Sequence, residues 1–155
     1  VEPFEVFYRR ELRPIVGLAY VLIGRRSAAE DLAQEAFIDA YRRWSEIGGY
    51  DDPGAWVRRV VANRAVSLRR RALVEAEALL RRRRAEHYDD DLSVEHEHLW
   101  AEVRRLPKRQ AQVIALHYVE RRTTASIASL LDLSEPTVKT HLQRARATLA
   151  TRLER

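Results

Sequence analysis

Apolar residues recur at intervals of three and four along nearly the whole chain, and nowhere do they alternate with polar ones as a half-buried strand requires. That periodicity confines the chain to an all-α fold. Only five glycines and five prolines punctuate its 155 residues, so the breaks between helices can be assigned individually. Hydrophobic residues at 46% and charged residues at 33% exclude a disordered chain and predict a heavily charged surface.

Phe4, Phe7, Tyr8 and Leu12 begin the first stripe. Pro14 is expected to interrupt it, because proline removes an amide donor and crowds the preceding turn. Ile15, Leu18, Ala19 and Leu22 resume the stripe until Gly24 stops it. Ser27-Ala-Ala-Glu30 reads as a capping box opening the next helix. Leu32, Ala33, Ala36, Phe37, Ala40, Tyr41 and Trp44 form its buried face, Asp31, Gln34, Glu35, Ile38 and Arg42 lie away from it, and Gly48-Gly49 end it. Asp52-Pro53 reads as an N-cap with proline in the first turn. The helix it opens buries Trp56, Val57, Val60, Val61 and Leu68, with Arg58, Arg59, Asn63, Arg70 and Arg71 on other faces. Its periodicity is compatible with continuation toward Arg84. A flexible linker is expected over 74–94, around the solvated like-charge run Asp89-Asp90-Asp91. Two small helical domains result, 1–73 and 95–155.

In the second domain Leu99, Trp100, Val103 and Leu106 share a face, and Pro107 starts a helix with Val113, Ile114 and Tyr118 inward. Thr123 or Thr124 caps a short helix bearing Ile127, Ala128, Leu130 and Leu131. Ser134 caps the last helix, with Pro136 in its first turn and Val138, Leu142, Ala145 and Leu149 buried. Ala128 is small enough for two helices to cross closely. Between them, position 132 calls for a positive φ, which glycine adopts freely and Asp132 tolerates at a cost. The outward face of the last helix carries Glu135, Thr137, Lys139, Thr140, Gln143, Arg144 and Arg146. A helix-turn-helix with that face suits base edges and phosphates in a DNA major groove. The charge distribution agrees: net +3 over 1–71, −3 over 72–95 and +5 over 96–155.

Other classes of function fit poorly. Without cysteine there are no disulfides, thiol catalysis or cysteine-rich zinc sites. There is no Gly-rich phosphate loop, nucleophile motif or convincing His–carboxylate pair, so no enzymatic activity, cofactor or small-molecule substrate is expected. Glu95-His96-Glu97-His98 is not expected to bind metal, because adjacent residues on a helix point different ways. The most apolar stretch, Ile15 to Ile23, is too short to span a bilayer, so no membrane contact and a cytoplasmic location are expected. Methionine is absent, so the native start is expected to precede Val1 or to be replaced by it. Lysine is confined to Lys108 and Lys139, the rest of the basic charge being arginine, as a GC-rich genome gives.

Taken together, four segments resemble the extracytoplasmic-function (ECF, group IV) sigma factors of bacterial RNA polymerase. Ala29-Glu-Asp-Leu-Ala-Gln-Glu-Ala-Phe-Ile-Asp-Ala-Tyr-Arg42 looks like the family's polymerase-clamp-binding helix, and Pro53 to Arg71 is similar to its −10 recognition segment. Leu106-Pro-Lys-Arg-Gln-Ala-Gln-Val113 and Thr137-Val-Lys-Thr-His-Leu-Gln-Arg-Ala-Arg146 resemble its −35-binding domain. The resemblance implies that Asp31, Gln34, Glu35, Ile38 and Arg42 dock on the β′ coiled coil of core RNA polymerase, with the β subunit a further partner. It implies that the loop with Tyr50, Asp51 and Asp52, and Arg59, Asn63, Arg64 and Arg70, hold the melted −10 strand, Tyr50 being placed to stack on a base. It implies that Glu135, Pro136, Thr137, Lys139, Thr140, Gln143, Arg144 and Arg146 read the −35 duplex of promoter DNA. An anti-sigma factor is the expected controller. Two departures stand out: Asp132 replaces the usual turn glycine, and Glu120-Arg121-Arg122-Thr123-Thr124 is more polar than its counterpart. No regulatory extension is expected after Arg155. The alternative is a conventional helix-turn-helix regulator acting without polymerase, which would need a dimerisation helix and an effector pocket.

Overall fold

A computed structural model describes residues 1–79 and 94–154. Within them lie eight helices and no strand: α1 (Phe4–Ile23), α2 (Arg26–Arg42), α3 (Trp44–Ile47), α4 (Pro53–Leu79), α5 (Val94–Arg104), α6 (Lys108–Tyr118), α7 (Thr124–Leu131) and α8 (Glu135–Leu153). The side chains of 70, 72–79, 94 and 95 fall outside the description, as does the run Asp89-Asp90-Asp91. Helix α4 extends to Leu79, beyond residue 74, where the linker was expected to begin.

The N-terminal half packs α1, α2 and α4 against one another. Phe7, Ile15, Leu18 and Leu22 of α1 meet Leu32 and Phe37 of α2, with Ile47 of α3 and Val57 and Val61 of α4 closing the core. Each fully buried side chain of this size contributes roughly 1.5–3 kcal/mol of hydrophobic stabilisation. Rings reinforce one end: Phe7 lies 4.8 Å from Trp44 and 5.9 Å from Phe37, centroid to centroid. The Trp44 indole donates to the Glu2 carbonyl at 2.9 Å, tying the start of the chain to α3.

Helix α1 runs unbroken through Pro14. The proline is exposed, as is Arg10, whose carbonyl loses its partner, so water can satisfy it while buried residues on the far face hold the helix straight. Gly24 then stops α1 in the left-handed region, φ 83°. The capping box at Ser27 does not form. After Gly24 the extended Arg25 completes the turn, α2 starts one residue before Ser27, and Glu30 pairs instead with Arg26 at 3.1 Å. Helix α2 ends at Arg42, six residues before the glycine pair, and the short α3 carries the chain to Gly48. The Asp52 cap does form, its carboxylate accepting the Ala55 amide at 3.0 Å.

Six apolar assignments change. Tyr41 is 65% exposed and Tyr118 50% exposed, each with its ring at a helix edge rather than in the core; Leu68 is also exposed, and Trp44, Trp56 and Val60 are half-buried. Arg58, expected on an outer face, is buried.

In the C-terminal half, α5, α6, α7 and α8 enclose Trp100, Val103, Leu106, Val113, Leu116, Ile127, Leu131, Val138 and Leu142. Both expected caps are in place: Thr123 accepts from the Ser126 amide at 3.1 Å and Ser134 from the Thr137 amide at 3.2 Å. Asp132 adopts φ 57°, ψ 50°, and Leu133 reaches back to the Ala128 carbonyl at 2.9 Å. This is the left-handed stop that the sequence requires there, built without glycine. Asp132→Gly should therefore stabilise the protein by about 1 kcal/mol, since relief of left-handed strain exceeds the near-zero value of an exposed ion pair at that residue. A urea-unfolding midpoint that moves up checks this; one that moves down refutes it.

The halves touch through polar groups set into apolar surroundings. Arg104 of α5 donates to the Val21 carbonyl at 2.9 Å, at the C-terminal end of α1 where a cation is favoured. Its guanidinium lies where a Cβ on Gly24 would stand. Arg69 of α4 donates to the Leu106 carbonyl at 3.0 Å, and the fully buried Gln112 of α6 donates to the Ala62 carbonyl at 2.9 Å.

Candidate nucleic-acid interface

Thr124 and Glu135 join the two helices of the helix-turn-helix directly, the hydroxyl donating to the carboxylate at 2.9 Å. With the turn and both caps, this fixes how α8 is presented. Pro136, Lys139, Thr140, Gln143, Arg144 and Arg146 are exposed along α8, while Glu135 and Thr137 are half-buried at its start. Several of the expected reading groups are already engaged. Thr137 shares a hydrogen bond with Ser134 at 2.7 Å, and the Thr140 hydroxyl donates to the Pro136 carbonyl at 3.0 Å. Glu135 lies 3.5 Å from Lys139. Arg146 donates to the Tyr118 hydroxyl at 2.7 Å and sits 5.5 Å from that ring's centre. Pro136, Gln143 and Arg144 therefore form the open part of the face. Beside them, burial and the cations of Arg144 and Arg109 push His141 below the ordinary imidazole range, so it adds no charge near neutral pH.

On α2, Asp31, Gln34, Glu35, Ile38 and Arg42 are all exposed and follow one side of the helix for three turns. Ile38 at 47% exposure supplies an apolar centre among polar neighbours. Two residues the sequence reading missed belong beside them. Tyr8 of α1 accepts a hydrogen bond from the Gln34 amide at 2.9 Å, and Tyr41 extends the surface past Ile38. Phe4, Tyr8, Gln34, Phe37, Ile38 and Tyr41 line a shallow groove of about 240 Å³. The available signal was position: Tyr41 follows Ile38 by three residues, on the same side of the helix.

The residues assigned to the melted strand are not gathered on one open face. Tyr50 is partly exposed, but its hydroxyl donates to Glu46 at 2.6 Å, which lowers the Glu46 pKa and raises that of the phenol. Asp51 and Asp52 are exposed, Asp52 serving as the cap of α4. Arg64 donates to Asp39 at 2.7 Å. Asn63 accepts from Gln112 at 3.2 Å, and Arg59 faces Asp132 at 3.9 Å. Arg70 lies outside the described side chains. What the fold does bring together is Asn63, Arg64, Ser67 and Arg71 with Lys108 of α6, around a cleft of about 430 Å³ between α2, α4 and α6. Lys108 comes from the other half of the chain, which no local pattern could indicate.

Among the described residues no cluster of His, Asp or Glu could hold a metal ion, and Glu97 pairs with Arg104 at 2.7 Å. No described helix is long and apolar enough to cross a membrane.

Two family models match the chain: Sigma-70 region 2 over residues 7–73 and Sigma-70, region 4 over residues 96–149. It is 30% identical over 155 residues to the RNA polymerase sigma-E factor of Streptomyces avermitilis, covering 97% of this chain and 85% of that protein. It is 32% identical over 142 residues to the ECF RNA polymerase sigma factor BldN of Streptomyces coelicolor, covering 84% of this chain and 53% of that one. A further relative, from Xanthomonas campestris, is 32% identical over 149 residues, and the chain spans 37% of its length. The fold is that of the sigma factor RpoE solved with the anti-sigma factor NepR from Bartonella quintana: TM-score 0.74, 21% identity, 99% of this chain and 98% of that one.

Proposed function

The chain belongs to the extracytoplasmic-function sigma factors of the sigma-70 family, and from that membership we infer that it directs bacterial core RNA polymerase to promoters. The observation that carries the inference is the order of two family segments on one chain, with a complete helix-turn-helix in the second. In this reading α8 anchors the −35 duplex. Arg144 and Lys139 attract phosphates, whose neutralisation makes affinity fall with salt, while Pro136 and Gln143 face base edges. Asp31, Gln34, Glu35, Ile38 and Arg42, with Tyr8 and Tyr41 beside them, dock on the β′ clamp. Tyr50 and the cationic side of α4 receive the opened −10 strand, whose unstacking costs a few kcal/mol that stacking and phosphate contacts offset. The protein adds no chemistry of its own; it positions an enzyme, and it acts in the cytoplasm where that enzyme works. An anti-sigma factor, as found on RpoE, is the partner that holds it idle.

Run-off transcription with core polymerase lacking sigma tests the reading. Addition of the protein should yield promoter-specific transcripts. Tight dimeric binding to promoter DNA without initiation would overturn it in favour of a conventional regulator. The double variant Asp31→Ala, Gln34→Ala should weaken core binding about tenfold or more while leaving helical content intact, as expected for a central contact patch. Unchanged core binding would remove α2 from the docking surface.

A further inference from the structure

The glycines of the chain do not all have the same reason to be there. At Gly24, Gly48 and Gly54 a Cβ would come within 2.8 Å of a neighbouring atom, and at Gly49 it would rest 3.5 Å from the Glu46 carbonyl oxygen. Gly17 is the exception. It sits in the interior of α1 with a negative φ, and nothing lies within 4 Å of where its Cβ would stand. No turn, positive φ or close neighbour among the described residues requires glycine there, although an interior glycine weakens a helix relative to alanine.

Gly17 lines a groove of about 570 Å³ that α1 and α2 bound from opposite sides. Along α1 the lining runs from Leu12 through Val16 to Tyr20, and along α2 from Arg26 to Gln34, each roughly 12 Å or two turns of helix. Val16 and Gly17 are half-buried, and Arg13, Glu30 and Asp31 are exposed at the rim. An apolar trough two turns long with charged edges fits an amphipathic helix laid into it. Helix axes pack roughly 8–10 Å apart depending on the side chains at the contact, and a glycine permits the short end of that range.

The groove is continuous with the α2 face assigned above to core polymerase, because Asp31 and Gln34 belong to both. We propose that the polymerase helix docked on α2 also seats in this groove and enters the space left open at Gly17, which makes Gly17 a determinant of polymerase affinity. The free protein gives up helix stability at that position so that a partner's backbone can come close. The proposal deepens the docking reading of α2 and rests on it.

The test measures, on the full chain, thermal unfolding by helical signal and affinity for core polymerase lacking sigma. Alanine and leucine both favour helix over glycine, so Gly17→Ala and Gly17→Leu should raise the thermal midpoint by about 2–4 °C. Gly17→Leu should nevertheless weaken core binding about tenfold or more, and Gly17→Ala should weaken it less. A purely structural role would not move the two readouts in opposite directions. Ile38→Ala, on the α2 face but outside the groove, separates this proposal from the reading beneath it. If Ile38→Ala weakens core binding and Gly17→Leu does not, α2 docks polymerase without the groove and the proposal is overturned. If neither changes core binding, the α2 reading fails and takes the proposal with it. A midpoint that falls in both Gly17 variants also overturns it, because the position would then be filled from within the protein. Unchanged core binding with an altered oligomeric state in Gly17→Leu assigns the groove to a second copy of the chain and overturns it too.

Discussion

Phe37→Ala is expected to cost about 3–5 kcal/mol, a large loss for a single truncation. Phe37 is 1% exposed and packs edge-on against Tyr8 at 5.0 Å and against Phe7 at 5.9 Å. Deleting the ring removes apolar burial and two aromatic contacts, and leaves a void between α1 and α2 that helices pinned on several sides cannot close. A loss of that size is a large share of the stability of a domain this small. Urea unfolding followed by helical signal should show a much earlier transition, and core polymerase binding should fall with it if α2 carries the proposed docking face. A midpoint within experimental error of the parent would mean that Phe37 is not a keystone of this packing.

The second large effect belongs to α8. Arg144→Ala should weaken promoter duplex binding about tenfold, within the range of roughly 1–3 kcal/mol per specific arginine contact. Its salt dependence separates two roles. If Arg144 meets a phosphate, the slope of log affinity against log salt becomes shallower by about one and all sequences suffer alike. If it meets a base edge, discrimination between promoter and unrelated duplex collapses instead. Arg146→Ala should do less to DNA, because its guanidinium already serves Tyr118. Equal binding by the Arg144 variant would move the reading surface elsewhere on the helix.

The helical architecture was legible because buried stripes, caps and breaks agreed at most positions. Ser134 and Thr123 cap as their side chains suggest, Asp52 does likewise, and Asp132 takes the positive φ that its place in the turn demands. Errors arose where tertiary packing overrides local preference. Pro14 is carried through α1 by the core on its far side, and Ser27 is overtaken by an earlier helix start. Tyr41 and Tyr118 fit an apolar rhythm but sit at its margin, where a ring can keep its hydroxyl in water. Exposure of the α2 and α8 faces followed from helical geometry alone. The engagement of Arg59, Asn63 and Arg64 did not, because their partners Asp132, Gln112 and Asp39 lie 25 residues or more away in sequence. Arg58 illustrates the limit best: one of two adjacent arginines in a helix reads as surface, and only the approach of Glu11 and Glu120 makes its burial tolerable.

Gly24 and Arg104 carry a consequence for building hybrids of this protein with its relatives. A side chain at position 24 would meet a left-handed backbone and would push aside the Arg104 guanidinium seated 2.8 Å from its Cβ, so the two positions are coupled. A chimera that joins this N-terminal half to a C-terminal half without an arginine at that place leaves the Val21 carbonyl of α1 without its side-chain donor. The reciprocal chimera delivers an arginine onto whatever residue stands at 24. Domain swaps in this family should therefore choose partners by the compatibility of those two positions, not by the identity of the DNA-reading helix.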